Sequence, residues 1–288
     1  MRSGLSFCGL TLLLLAVGAF AQGNPDLKFT FSTIKVKGAQ DTRVYGINSL
    51  GDMVGSYVDS AGVTHGMLRV GSKVTAIDNP DGTNSLCSGI NTSRTIVGSY
   101  LDSNGISRGF MYQNGAFTKV EPKGSQNSTA SGVNDDGVVV GNFVDSSGVQ
   151  HGFRRSGKKF KQIDVPGSSS SLAFGINQAG KITMQWVDSA GNIESSVYSG
   201  GKFKTVDVPG ATGSYAHGID TAGDIVYSWT DSSGIYHGAL RKKGKYYTFD
   251  DPKGTDGTYA DGINDSKVIV GVYHTNGGNT AEGFKAKY

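Results

Sequence analysis

One tripeptide sets the frame of this chain. Gly46-Ile47-Asn48 returns as Gly89-Ile90-Asn91, Gly132-Val133-Asn134, Gly175-Ile176-Asn177, Gly218-Ile219-Asp220 and Gly262-Ile263-Asn264, at spacings of 43, 43, 43, 43 and 44 residues. A period this constant means that one supersecondary unit is reused, each copy burying its apolar face against the next. The repeats run on to the end of the sequence, so residues 22–288 read as a single domain.

Each repeat reads as four short strands. The first ends at the tripeptide. The second is Met53 to Val58, echoed by Ile96 to Leu101 and Val139 to Val144. An Asp-Ser-x-Gly turn follows, as in Asp59-Ser60-Ala61-Gly62 and Asp145-Ser146-Ser147-Gly148; aspartate bonds the turn backbone and glycine takes the left-handed conformation. The third strand carries His65-Gly66-Met67 or its equivalents. The fourth is expected over Phe160 to Val165 and Phe203 to Val208, stopped by Pro166 and Pro209, where the ladder loses a donor. With 44 glycines, 6 prolines and three glutamates (Glu121, Glu194 and Glu282), the composition disfavours long helices and suits short strands and tight turns.

Four strands per unit at this period predict propeller blades. The last repeat stops at Gly283-Phe284-Lys285 without a fourth strand, and Phe29 to Gly38 resembles the missing piece: Phe31-Ser32-Thr33-Ile34-Lys35-Val36 matches Phe203-Lys204-Thr205-Val206-Asp207-Val208. The expected fold is therefore all-β, a six-bladed β-propeller of four-stranded blades, with an N-terminal strand completing the last blade and removing the open edge. Two tandem β-trefoils would use similar units, but no linker divides the third repeat from the fourth. An open solenoid would need caps, and none is visible.

Residues 1–21 have the form of a signal peptide. Arg2 is the positive start, Leu10 to Phe20 the apolar stretch, and Ala19-Phe20-Ala21 the small-x-small cleavage pattern. The apolar stretch is too short for a spanning helix. The expectation is a secreted or periplasmic bacterial protein with no membrane insertion after cleavage. Cleavage would leave Cys87 as the sole cysteine, with no intramolecular disulfide and no cysteine-based zinc site.

Several features invite chemistry. Each Asp-Ser-x-Gly turn offers a single carboxylate, where calcium wants six to eight oxygens. His65, His151 and His237 hold one repeat position, but on a third strand, roughly 10 Å further from the axis than the first, so they cannot converge on one zinc; a repeated packing or hydrogen-bonding role fits. Two basic clusters, Arg154, Arg155, Lys158, Lys159, Lys161 and Arg241, Lys242, Lys243, Lys245, fall on outer hairpins, where lysines protect edges. A formal net charge of +3 gives no reason to propose nucleic acid. No nucleophile elbow, P-loop, dinucleotide fingerprint or zincin motif is present. No metal or cofactor is implied, and a monomer is expected.

His65-Gly66-Met67, His151-Gly152-Phe153 and His237-Gly238-Ala239, with Arg108, Glu194 and Glu282 at the other three positions, resemble a degenerate His-Ala-Phe signature of the bacterial extracellular HAF repeats. The resemblance covers essentially all of residues 22–288. It implies an exported repeat protein and brings no catalytic residues.

The candidate site is the axial mouth. The residue before each tripeptide is Tyr45, Ser88, Ser131, Phe174, His217 and Asp261 in turn; two residues earlier stand Arg43, Leu86, Thr129, Leu172, Tyr215 and Tyr259. The residue between them is small or modest throughout, which marks blade packing, and alternation sends its neighbours to the other face. Arg43, Tyr45, Phe174, Tyr215, His217, Tyr259 and Asp261 are the expected ligand-binding residues, on repeats four, five, six and one. Repeats four and five also carry Met184 and Tyr227 where the others have Gly55, Gly98, Gly141 and Gly271. Aromatic surfaces with a few polar groups suit a glycan or small polar ligand. The leading reading is a secreted, non-enzymatic binding module for such a ligand or for another surface protein. A propeller lyase or glycosidase would need paired acids at the mouth, and a purely structural repeat protein would need no site.

Overall fold

In the computed structural model, which describes residues 27–288, each repeat forms a four-stranded antiparallel sheet and the six sheets close into a ring. The leader expected over residues 1–21 lies outside the described residues. There are 24 strands and no helix among the described residues. The innermost strands are Asp41–Ile47, Thr83–Ile90, Asn127–Val133, Ser170–Ile176, Gly213–Ile219 and Thr258–Ile263, each touching the next around the axis. The sixth blade is completed from the other end of the chain. Thr30–Ile34 pairs antiparallel with Thr280–Lys287, with Phe31 opposite Ala286 and Thr33 opposite Phe284. Phe29 and Phe31 then pack on Phe249 at 4.5 and 6.1 Å between ring centroids.

Each residue of the repeated tripeptide has its own axial task. A β-carbon on Gly46 would lie 2.9 Å from the Ser88 carbonyl oxygen and 3.3 Å from the Cα of Gly89; the same crowding recurs from glycine to glycine round the ring back to Gly46. Six backbones meet too closely there for any side chain. The next residues, Ile47, Ile90, Val133, Ile176, Ile219 and Ile263, are all buried and form an aliphatic collar. The third residue links blades. Asn48 Nδ2 donates to the Asn91 carbonyl at 3.1 Å, Asn91 to Asn134, Asn134 to Asn177, Asn177 to Asp220, and Asn264 to Asn48. One link is missing: Asp220 has no amide hydrogen to give Asn264. The Asn48 Oδ1 also accepts from Leu50 N and Asp52 N, closing its own turn.

Buried hydroxyls tie each blade to the previous one. Thr42, Ser85, Ser171, Ser214 and Thr258 accept from the backbone N–H of Val36, Asn79, Val165, Val208 and Asp251. In the remaining blade the equivalent donor is Pro122, which has no N–H, and Ser128 accepts from Gly109 N instead. These bonds correct the expected ends of the fourth strands. They stop at Ile163 and Thr205, short of Pro166 and Pro209, because the N–H of Val165 and of Val208 has turned to the next blade's hydroxyl. The second strands run Met53–Val58, Ile96–Leu101 and Val139–Val144, as the repeats predict.

On the outer side, the repeated histidines are intrablade clips. His65 lies 2.8 Å from Asp78 and 3.4 Å from Asp59; His151 and His237 bridge Asp164 with Asp145 and Asp250 with Asp231 in the same way. Arg108 substitutes in blade two, between Asp102 and Glu121.

Candidate functional site

The site is positioned by a bulge. In blades one, two, three and six, strand pairing skips one residue just before the tripeptide glycine: Tyr45, Ser88, Ser131 and Asp261 have no partner across the ladder. A bulge re-aims the side chain it carries. In blades four and five the irregularity is wider, with Ala173 then Ile176, and Ala216 then Ile219, as consecutive pairs. The cause is the lost glycine opposite. A β-carbon on Gly55, Gly98, Gly141 or Gly271 would fall 1.8 to 2.0 Å from a carbonyl oxygen of the inner strand. Met184 and Tyr227 place real side chains there, fully buried, and the inner strand bows away. Phe174 and His217 sit in those wider bulges, so the two sequence departures are one structural event. The residue between, Val44, Cys87, Ala130, Ala173, Ala216 or Ala260, is completely buried in every blade, as its size implies.

All six bulge positions line one axial cavity of about 520 Å³. The aliphatic collar is its floor. Beyond the collar lies a narrower polar recess of about 110 Å³, lined by Asn48, Asn91, Asn134 and their counterparts. The cavity therefore has its mouth where the inner strands begin. An arc of four side chains, Phe174, His217, Asp261 and Tyr45, comes from consecutive blades four, five, six and one. Phe174 meets the His217 ring edge to face at 5.2 Å. His217 Nδ1 is 3.9 Å from Asp261 Oδ1. Burial pushes His217 down to about 4, so its imidazole is neutral at pH 7. Burial also raises the Asp261 carboxyl well above the usual range, with Arg43 as the only opposing charge. Their side chains are 20% and 16% exposed, and that exposure faces the cavity.

The opposite wall, on blades two and three, is made of small residues that leave space: Leu86, Ser88, Ser99, Ser107, Thr129, Ser131 and Asn142. Ser107 is engaged with Ser128 O and Thr129 Oγ1. Ser88, Ser99, Ser131 and Asn142 make no side-chain hydrogen bond among the described residues. Sequence reasoning passed over this wall. The available signal was a polar residue directly after the repeated glycine of the second strand, Ser56, Ser99 and Asn142, within an otherwise apolar run.

Of the residues expected at the site, Tyr45, Phe174, His217 and Asp261 line the cavity. Arg43, Tyr215 and Tyr259 do not. They share the strand position of Leu86 and Thr129, but their longer side chains pack sideways. Arg43 pairs with Asp41, Nε to Oδ2 at 3.0 Å. Tyr215, Tyr236, Tyr259 and His274 form an aromatic row across blades five and six, with centroid steps of 5.7, 4.5 and 5.1 Å. Burial, reinforced by Tyr236, pushes the Tyr215 phenol up to about 12. A single carboxylate and no lysine or arginine line the cavity.

No family profile and no curated protein matches the chain. Solved structures do share its fold. SapL1 lectin, in complex with alpha methyl fucoside, aligns with a TM-score of 0.54 at 10% identity, over 82% of this chain and 88% of that one. The fungal lectin of Aleuria aurantia, described as a six-bladed β-propeller with a novel fucose recognition mode, aligns with a TM-score of 0.52 at 12% identity, over 88% and 93%. TolB from Acinetobacter baumannii aligns at 0.54 and 13%, over 86% of this chain and 64% of its own. At such identities the likeness establishes the six-bladed architecture and nothing about ligands.

Proposed function

We propose that this chain is an exported carbohydrate-binding propeller of the HAF-repeat kind, whose ligand occupies the axial cavity. One observation carries the reading: across one axial cavity an aromatic arc faces a wall of unengaged hydroxyls and an amide. Sugars present the same division, with apolar C–H faces that lie on rings and hydroxyls that need precisely placed partners. The volume of about 520 Å³ falls within the usual range for small-ligand sites. That lectins of the same fold bind fucosides agrees with this reading. A single carboxylate in the lining favours binding over glycoside cleavage, which ordinarily uses two. Export rests on the form of residues 1–21.

A glycan array on residues 22–288, followed by calorimetric titration of the hits, tests the proposal. Phe174→Ala and Asn142→Ala should each weaken binding by about tenfold or more, the scale of one lost stacking or hydrogen-bonding contact. Lys161→Ala, on an outer hairpin, should leave it unchanged. Glycan binding that survives both cavity substitutions, or no glycan binding at all, would overturn the assignment.

A further inference from the structure

Building on the axial cavity as a saccharide site, we infer that its preferred ligand carries a free ammonium group: an amino sugar whose nitrogen sits on Asp261. The polar balance around Asp261 is incomplete. The Asp261 side chain is enclosed in the arc and makes no hydrogen bond among the described residues; His217 Nδ1 stands 3.9 Å from its Oδ1, and Tyr45 lines the cavity on its other side. A carboxylate taken out of water needs a partner or a proton. The cavity lining supplies no cation. Arg43 is committed to Asp41, with Nη2 2.9 Å from Oδ2, and His217 is held neutral by its burial. The protein thus leaves an acid in the cavity with no cation bonded to it; burial favours its protonated form, and a bound ammonium group would favour the carboxylate.

The flanks of Asp261 are suited to a cation. Tyr45 lies on one side; His217, backed by Phe174, lies on the other. Aromatic faces attract ammonium groups, more strongly where water is excluded. An acid between rings is therefore a receptor for an ammonium head, while the serines and Asn142 across the cavity meet the hydroxyls of a sugar body. The same geometry disfavours uronic acids and sulfated sugars, whose charge would face Asp261 with no cation to offset it.

Calorimetric titration at pH 6.5 with matched ligands tests this: glucose, galactose and mannose, each beside its 2-amino and 2-acetamido derivatives, with glucuronate and ethanolamine as further arms. For at least one sugar, the amino form should bind about tenfold or more tighter than the neutral and acetylated forms. Glucuronate should not bind. Ethanolamine should bind more weakly than the amino sugar, since it leaves the hydroxyl wall unused. Asp261→Asn should erase the amino preference while the neutral sugar still binds; the variant keeps the shape and removes a buried acid that makes no hydrogen bond among the described residues, so its melting temperature should hold or rise. Amino and neutral sugars binding alike would overturn the inference and leave the saccharide site standing. Ethanolamine matching the amino sugar, with no neutral sugar binding, would overturn both, as would the absence of any binding.

Discussion

Glu194 stands where blades one, three and five carry histidine, between Asp188 and Asp207. An imidazole there bridges two carboxylates; a third carboxyl must share a proton with one of them. The hydrogen bond with Asp207, then burial and the neighbouring negative charge, push Glu194 up to about 7. Asp188 is held low by its bonds to Asn192 and the turn backbone. An acid raised by folding adds stability that is fully present below the ordinary glutamate range and is lost as pH rises through about 7. Replacing Glu194 with glutamine keeps a hydrogen-bonding group and removes the titration. We expect Glu194→Gln to melt above the parent at pH 8, with the gap closing by pH 5; parallel melting profiles across that range would rule out a shared proton. At this scale the sequence was readable where repeats line up. The position before each tripeptide stood out as variable, and four of its large side chains line the cavity. Ser88, Ser99, Ser131 and Asn142 stayed hidden, because a small polar side chain matters there only through the space that it leaves.

Simple alternation along the inner strand puts Arg43 and Tyr45 on one face, and likewise Tyr215 with His217 and Tyr259 with Asp261. The bulge, an interaction of two strands, sets them apart, and no pattern within one strand reveals it. Met184 and Tyr227 were the visible trace: glycine is obligatory opposite the narrow bulge, and its loss in two repeats announces the wide one. The closing strand was fully readable, since Phe31 to Val36 repeats the sequence of an ordinary fourth strand. Its removal is correspondingly costly. Deleting residues 27–34 strips Phe29, Phe31 and Ile34 from the sixth blade and bares the edge of Thr280–Lys287. Ile34 is buried and Phe29 and Phe31 are partly buried; full burial of such a side chain stabilises by about 1.5–3 kcal/mol, so the loss is a large share of the stability of a typical domain. The truncated protein should unfold or aggregate at temperatures where the parent is native, and a synthetic peptide of residues 27–38 should restore part of its melting temperature. Melting like the parent would mean that the ring does not depend on this strand.

Six blades and their closure follow from the period and from the two chain ends, so the architecture of the whole molecule was the most legible level. The asparagine ring was not, because a link from Asn48 to a backbone 43 residues away exists only once the ring has closed. Its break at Asp220 offers a direct test. Asp220→Asn would supply the sixth amide donor, toward the Asn264 carbonyl, and remove a carboxyl that burial already pushes up. One added hydrogen bond is worth about 1 kcal/mol, which for a chain of this size shifts melting by roughly 2–4 °C. Calorimetry at pH 7 should show that rise, and a lower melting temperature would mean that the acid has a partner of its own. The aliphatic collar, finally, decides how a polymer is met. Six aliphatic side chains narrow the axis between the cavity and the polar recess, so on the proposed assignment a long glycan would reach Asp261 by presenting a terminus. Such a site would count ends and not mass: cutting a polysaccharide into fragments would multiply what it can hold, and a branched glycan would offer more than a linear one of equal weight.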